Sequence, residues 1–219
     1  MSNLSDITIF ILKGSIISFK LFIVTIIFSI PLGILIAMGK NSKIKPLKII
    51  LSAYTWIFRG TPLMLQLFFA YFGLPVIGIR LEPLTAAYLT FIINYGAYLA
   101  ETFRAGIESI DKGQVEAAKV LGFTYNQTMF KIIVPQAIRN VIPPICNESI
   151  NLIKDSALVA AIGIGDMLRA AKEVVTRDFT ITPFFIAAAI YLLITAFLVL
   201  IFRTLEKNMH TKTMINYRP

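Results

Sequence analysis

The 219-residue sequence contains few of the side chains on which metal proteins and many enzymes depend. Its single cysteine, Cys146, excludes an intramolecular disulfide, and the single histidine, His210, leaves no His/Cys cluster of the kind zinc sites need. Charged residues make up only 15% of the chain, whereas about a quarter is usual for a soluble domain. This shortage of charge excludes a disordered or nucleic-acid-coating protein despite the net charge of +9. We therefore expect no metal site and no catalytic residue.

The apolar residues, 57% of the chain, are gathered into long runs. Four segments contain no charged residue: 21–38, 60–79, 83–100 and 179–202. A helix needs about 20 such residues to cross the hydrocarbon core of a bilayer. Because only helices and closed barrels can satisfy their backbone polar groups in lipid, these runs predict an all-α, polytopic membrane protein.

Lysine and arginine are unevenly distributed between the two sets of connections that alternate along the chain. One set contains most of them: Lys40, Lys43, Lys45, Lys48, Arg104, Lys112, Lys119, Lys131, Arg139, Arg203, Lys207, Lys212 and Arg218. The other contains Lys13, Arg80, Lys154, Arg169, Lys172 and Arg177. Cytoplasmic loops carry the excess of basic residues, so we expect an inner (plasma) membrane protein with its N-terminus outside and its C-terminus in the cytoplasm. The basic balance thus indicates orientation and not affinity for nucleic acid.

This orientation requires an odd number of spans, so a fifth must lie between the third and fourth clean runs. The candidate, 132–154, is polar and interrupted by prolines; it contains Pro135, Arg139, Pro143, Pro144, Glu148 and Asn151. Such groups are tolerated at membrane depth where a segment is buried in protein or lines an aqueous path. A re-entrant hairpin at 156–165 is the alternative. We predict one transmembrane domain over 1–219 with five spans near 15–38, 50–75, 84–104, 132–154 and 181–203.

A break is expected inside the second span, at 59–62 (RGTP). Pro62 lacks a backbone donor and clashes with the preceding turn. We predict that the helix kinks or restarts there.

The predicted cytoplasmic loop, 106–133, has signs of internal structure. The segment 111–113 (DKG) indicates a turn, and 114–121 indicates a short helix that ends at Gly122. Thr124 and Gln127 have the spacing of a capping box that starts a second short helix. A structured loop on a membrane protein suggests a docking surface.

The same loop carries a recognisable motif. Glu116, Ala117 and Ala118 are followed after three residues by Gly122 and after nine more by 132–135 (IIVP), which includes Pro135. This pattern resembles the EAA signature of ABC-importer membrane subunits, with Val134 where that family usually has leucine. Other segments resemble the polar amino acid permeases of the histidine, glutamine and arginine type: 58–63 (FRGTPL), 66–69 (QLFF), 97–104 (AYLAETFR), 113–114 (GQ) and 152–158 (LIKDSAL). The chain departs from that family at Ser156 and Ala157, where Thr-Ser is usual.

The resemblance implies the type I permease architecture of ABC importers, with five spans and a second permease subunit, identical or related. It also implies that the EAA loop sits in a cleft of a cytoplasmic ABC ATPase dimer and that an extracytoplasmic binding protein delivers the amino acid. The residues expected in coupling or its scaffolding are Arg59, Gly113, Glu116, Ala117, Ala118, Gly122 and Pro135.

The chain contains no GxxxxGK[ST] motif, the nearest fragment being 39–41 (GKN). A phosphate loop needs its glycines, lysine and hydroxyl together. We therefore expect ATP and Mg²⁺ on the partner ATPase, with no cofactor in this chain and lipid as its surroundings.

Polar residues on two helical faces are candidates for contact with the substrate. Asn94, Tyr98 and Glu101 share one face of span three, and Glu148, Asn151 and Asp155 share one face of span four, whereas Thr61 and Gln66 follow the break in span two. Acids inside a membrane are costly and usually functional, so these favour a basic amino acid such as arginine, histidine or lysine.

Several alternatives remain open at this point. Glu101 could pair with Arg104, and Asn94 could bridge helices without touching a ligand. The substrate could be glutamine or another neutral polar amino acid. A different class, a proton-coupled secondary transporter, would use Glu101, Glu148 or Asp155 as a proton relay.

Overall fold

The computed structural model describes residues 4–215, and side chains over 4–207. The side chains of His210, Lys212 and Arg218 lie outside the described residues. Within the described part every regular element is helical, which confirms the all-α class. The α-helices are α1 Leu4–Lys40, α2 Lys45–Gly60, α3 Leu63–Phe68, α4 Pro83–Glu108, α5 Lys112–Val120, α6 Tyr125–Thr128, α7 Val134–Asp155, α8 Met167–Asp178 and α9 Thr182–Ile215. Two π-helical segments, Phe69–Gly73 and Met129–Ile133, and two 3₁₀ segments, Leu74–Ile77 and Ser156–Ile162, join them.

Two helices are long and apolar enough to cross a membrane, α1 and the Thr182–Lys207 part of α9. A third is counted if the bent pair Lys45–Gly60 and Leu63–Ile77 forms one span. Helices α4 and α7 have 26 and 22 residues and are therefore long enough, but they are more polar. The count of five spans stays a prediction, because α4 and α7 are less apolar than α1 and α9.

The predicted break in the second span is present. Helix α2 ends at Gly60, Pro62 is the residue before α3, and the two segments bend by 104°. The expected span 50–75 is therefore two helical segments at a steep angle, because Pro62 cannot donate the hydrogen bond that would continue α2. The turn leaves the last carbonyl groups of α2 in need of other donors.

The centre of the fold is the long contact between α1 and α4. Small residues bring the two backbones close: a Cβ added at Gly33 would lie 2.9 Å from the Leu99 Cβ atom. Close approach through small residues is how membrane helices gain packing energy without a hydrophobic driving force. The adjoining core contains Leu21, Leu67, Phe91, Tyr95, Leu152 and Val159.

Helix α5 of the 106–133 loop is closed at both ends by local hydrogen bonds. The Asp111 carboxylate accepts a bond from the Gly113 N–H at 2.6 Å, so the expected turn is a helix cap and α5 begins at Lys112. At the other end, Gly122 adopts φ +78° and the Phe123 N–H donates to the Ala118 carbonyl at 3.0 Å, a Schellman motif. The predicted C-terminal glycine is confirmed.

The second short helix expected after Gly122 differs from the prediction. Its capping box is present, with Gln127 accepting from the Thr124 N–H at 2.9 Å. However, α6 is not a separate helix, since it continues through the π-helical segment Met129–Ile133 into α7. This segment precedes Pro135, which has no N–H to donate into it.

The chain after α7 does not fold as a hairpin. Residues Ser156–Ile162 form a 3₁₀ helix that ends at Gly163, with φ +89°, and the chain then enters α8. The buried side chains of α8 pack with α1 and α9. The Gly14 position of α1 lies against this turn, because an added Cβ would come within 2.7 Å of the Asp166 and Met167 backbone.

We expect Gly14→Val to lower the free energy of unfolding by about 1–3 kcal/mol, because the new side chain would overlap backbone atoms that cannot rotate away. Gly165→Val is the matched control, since nothing lies within 4 Å of an added Cβ there. Thermal unfolding of the purified proteins in detergent measures both. Equal stability of the two variants would contradict the close packing of α1 on this turn.

Candidate functional site

A cavity of about 710 Å³ lies between α4 and α7, beside the end of α2. Its wall includes three of the eight residues predicted to contact substrate, Tyr98, Glu101 and Glu148, and also Arg59, which the motif had suggested for coupling. Further polar or proline side chains on the wall are Thr102, Arg104, Ser109, Arg139, Asn140, Pro143 and Pro144. A concave site with a few converging polar groups is the usual form of a small-molecule site.

Asn94, Gln66 and Thr61 hold the break between α2 and α3. The Asn94 side-chain N–H₂ donates to the Phe58 carbonyl at 2.9 Å and to the Gln66 side-chain oxygen at 3.0 Å. The Gln66 N–H₂ in turn contacts the Phe58 carbonyl at 3.0 Å and the Thr61 hydroxyl at 2.8 Å. These amides satisfy the carbonyl that the end of α2 leaves unpaired. Asn94 therefore bridges helices, and direct contact of these three residues with substrate stays a prediction.

Tyr98 connects α4 to the last turn of α2. Its hydroxyl donates to the Arg59 carbonyl at 3.4 Å, and the Arg59 guanidinium carbon lies 5.4 Å from the centre of the Tyr98 ring. A guanidinium at this distance over an aromatic face is held by a cation–π interaction. The pair gives the cavity a fixed cation at its α2 edge.

Glu101 is neutralised by two cations. Lys40 of α1 and Arg104 both form ion pairs with its carboxylate, the latter at 2.8 Å, and the Thr55 hydroxyl donates to it at 3.0 Å. Arg104 also pairs with Glu108. The alternative of a Glu101–Arg104 pair is thus present in the structure, while Lys40, only 8% exposed, adds a buried cation that ties α1 to α4.

The three predicted residues of α7 are distributed along its length. Glu148 lines the cavity and forms no ion pair within the described residues. Asp155, at the end of α7, accepts a hydrogen bond from the Tyr95 hydroxyl at 2.7 Å, and Asn151 is exposed between them. For Asn151 and Asp155, contact with substrate stays a prediction.

The coupling residues predicted in the 106–133 loop and at Pro135 follow the C-terminal end of α4. Gly113, Glu116 and Ala117 are exposed, whereas Ala118 is buried against the rest of the loop. Pro135 is exposed on the first turn of α7. Around them stand large apolar side chains that are more than two-thirds exposed: Val120, Leu121, Tyr125 and Phe130. We call α5 with these four side chains the loop surface; an exposed apolar patch of this kind marks an interaction site.

Sequence reasoning missed a contact beside the cavity and two residues on its wall. The Lys40–Glu101 ion pair joins residues 61 positions apart on different helices, and no spacing rule reaches across such a separation. Asn140 and Pro144 precede Glu148 at i−8 and i−4 on α7, a helical spacing that could have placed them on its face.

Comparison with known proteins agrees with the motif. The sequence profile of the family described as "binding-protein-dependent transport system inner membrane component" matches residues 29–211. The chain is 38% identical over 203 residues to the putative glutamine transport system permease protein GlnP of Rickettsia felis, covering 92% of this chain and 93% of GlnP. It is 41% identical over 202 residues to the arginine transport system permease protein ArtQ of Bacillus subtilis, covering 91% and 92%.

The fold is also similar to a solved structure. A chain in the crystal structure of an amino acid ABC transporter with histidines superposes with a TM-score of 0.90 at 36% identity. The match covers 95% of this chain and 100% of the other.

We expect Glu101→Gln to lower the free energy of unfolding by about 3 kcal/mol, because it leaves the buried Lys40 without a full counter-charge. Adding Lys40→Met to that variant should restore part of the loss. Glu108→Gln is the control, since its exposed pair with Arg104 contributes about 1 kcal/mol or less. Thermal unfolding in detergent checks all three. Equal losses for Glu101→Gln and Glu108→Gln would show that the Lys40 contact contributes nothing.

Proposed function

We propose that this chain, which belongs to the family of binding-protein-dependent transport system inner membrane components, forms the translocation path for a basic amino acid such as arginine, histidine or lysine. As a permease subunit of an amino acid ABC transporter it is not an enzyme, and the separate ATPase subunit hydrolyses ATP. The alternative of a proton-coupled secondary transporter is therefore set aside. The observation that carries the finer proposal is the Glu148 carboxylate on the cavity wall.

Two properties of Glu148 support a cationic substrate. It lies on α7, the predicted fourth span, and an acid inside a membrane is expensive and is retained for a function. It is also free of any ion pair in the part of the chain described, whereas Glu101 on the same cavity has two. An unpaired carboxylate favours a ligand that brings its own positive charge. Glutamine is the second candidate, because one of the similar permeases carries that name.

The loop surface supports the proposed coupling to the ATPase. Helix α5 is capped at both ends by its own residues, so it presents a rigid element. Its exposed apolar neighbours would be covered by a cytoplasmic ABC ATPase dimer, which binds the ATP and Mg²⁺ that this chain has no phosphate loop to hold. A nucleotide-dependent movement of that dimer would then displace α5. Because α6 continues into α7, the movement would also reach the cavity wall that contains Glu148.

The remaining partners follow from the same assembly. We infer a second permease subunit, identical or related, and an extracytoplasmic amino acid binding protein. The charge distribution supports a plasma (inner) membrane protein with the N-terminus outside and the loop surface in the cytoplasm.

We expect Glu148→Gln to weaken binding of arginine or lysine roughly tenfold while leaving neutral amino acids unchanged, because the amide keeps the shape but loses the charge. Binding is measured on the purified permease–ATPase complex without the binding protein, whose own selectivity would mask the effect. Glu82→Gln, an exposed position before α4, is the control. An unchanged preference in Glu148→Gln would remove Glu148 from the site and favour a neutral substrate.

We expect Glu116→Arg to abolish co-purification of the ATPase, because it reverses a charge at the centre of the loop surface. Glu82→Arg makes the same charge change at the opposite end of α4 and should leave the association intact. Membrane insertion of both variants is followed by fractionation, so a failure to insert is detected separately. Normal ATPase recovery with Glu116→Arg would place the dock elsewhere.

A further inference from the structure

Arg59 is a cation without a carboxylate partner in the wall of the cavity. Across residues 4–207 its guanidinium takes part in no ion pair and no hydrogen bond, and its side chain is exposed. It lies at the middle of the second predicted span, just before the break at Gly60. A guanidinium at that depth is costly unless an anion or water accompanies it.

The contrast with Arg104 on the same cavity is informative. Arg104 contacts both Glu101 and Glu108, so its charge is used inside the protein. The Arg59 side chain is instead positioned by uncharged contacts: its guanidinium carbon lies over the Tyr98 ring, 5.4 Å from the ring centre, and its main-chain carbonyl accepts a hydrogen bond from the Tyr98 hydroxyl. The neighbouring Phe58 carbonyl is held by Asn94 and Gln66. The protein thus fixes the group and leaves its N–H edges available.

A guanidinium held by a cation–π contact still presents a planar fork of N–H donors. That fork matches the two oxygens of a carboxylate and binds them with paired hydrogen bonds. Every α-amino acid carries a carboxylate, whatever its side chain. The chemistry of Arg59 therefore fits the one anionic group that all candidate substrates share.

We propose that Arg59 forms a subsite for the α-carboxylate of the transported amino acid, opposite Glu148. This inference rests on the proposed function and extends it. Both residues line the same cavity, and their charges act on each other without an ion-pair contact between them. An amino acid placed between them would bring a carboxylate to Arg59 and a positive group to Glu148, which neutralises both.

Two other assignments make different predictions. Arg139 of α7 also lines the cavity and also forms no ion pair in the described part of the chain. Within residues 4–207 no cation–π contact holds its guanidinium, and for that reason we assign the carboxylate to Arg59. Alternatively, Arg59 could act only as a distant counter-charge to Glu148, in which case the carboxylate of the ligand would not matter.

The test compares ligands that differ only in the carboxylate. Competition binding to the purified permease–ATPase complex, without the binding protein, uses arginine against agmatine and glutamine against 4-aminobutanamide. Wild type should prefer the amino acid over its decarboxylated analogue by about tenfold or more. Arg59→Gln should reduce that ratio to about one, Arg59→Lys should give an intermediate ratio, and Arg139→Gln should keep the wild-type ratio. Gel filtration and ATPase association verify that each variant is folded.

The outcomes separate this inference from the proposed function. If Arg59→Gln keeps the wild-type ratio, or weakens both ligands of a pair equally, the carboxylate subsite is wrong while transport of a basic amino acid stands. If Arg139→Gln instead lowers the preference for the amino acid over its decarboxylated analogue to about one, Arg139 of α7 forms the carboxylate subsite. If wild type binds glutamine and not arginine, the proposal of a basic substrate is wrong. The comparison of glutamine with 4-aminobutanamide then still tests whether Arg59 binds the α-carboxylate. If neither amino acid binds, both proposals fall together.

Discussion

The hydrogen bonds that Asn94 and Gln66 donate to the end of α2 are the contacts on which the site depends. Within a membrane, backbone groups freed by a helix break must find partners in the protein. The Asn94 amide of α4 donates a hydrogen bond to the freed Phe58 carbonyl and thereby stabilises the 104° bend between α2 and α3. That turn ends α2 at the cavity and sets Arg59 over Tyr98. Pro62 ends α2, and the two amides supply the donors that the broken helix leaves its Phe58 carbonyl without.

Charges near the cavity fall into two groups according to what they contact. Lys40, Glu101 and Arg104 neutralise one another and join α1 to α4, so their cost of burial is offset inside the protein. Glu148 and Arg59 have no such ion pairs in the described residues, although they line the same cavity. Paired charges thus join helices of the scaffold, whereas the two without an ion pair are the ones we propose for contact with a ligand that carries both signs.

Sequence patterns predicted well those features that are local in the chain. The helical class, the break at Pro62, the glycine end of α5 and the Thr124 capping box all depend on residues within a few positions of each other. The candidate site was predicted less completely. Helical spacing grouped Asn94 with Tyr98 and Glu148 with Asp155, yet only one member of each of these pairs lines the cavity, because spacing does not say what the neighbouring helix presents. The Lys40 contact with Glu101, 61 positions away, was invisible for the same reason.

The sequence by itself determined that this chain is a helical membrane permease and which loop carries its EAA-like motif, since hydropathy, caps and motif spacing are properties of short segments. Only the tertiary structure decided which polar residues are paired with another helix and which line the cavity, available to a ligand, with no ion pair in the described residues. Asn94, Glu101 and Asp155 have partners from α2, α1 and α4, whereas Arg59 and Glu148 line an open cavity. The physical reason is that availability depends on contacts between helices, and those contacts exist only once the helices have packed.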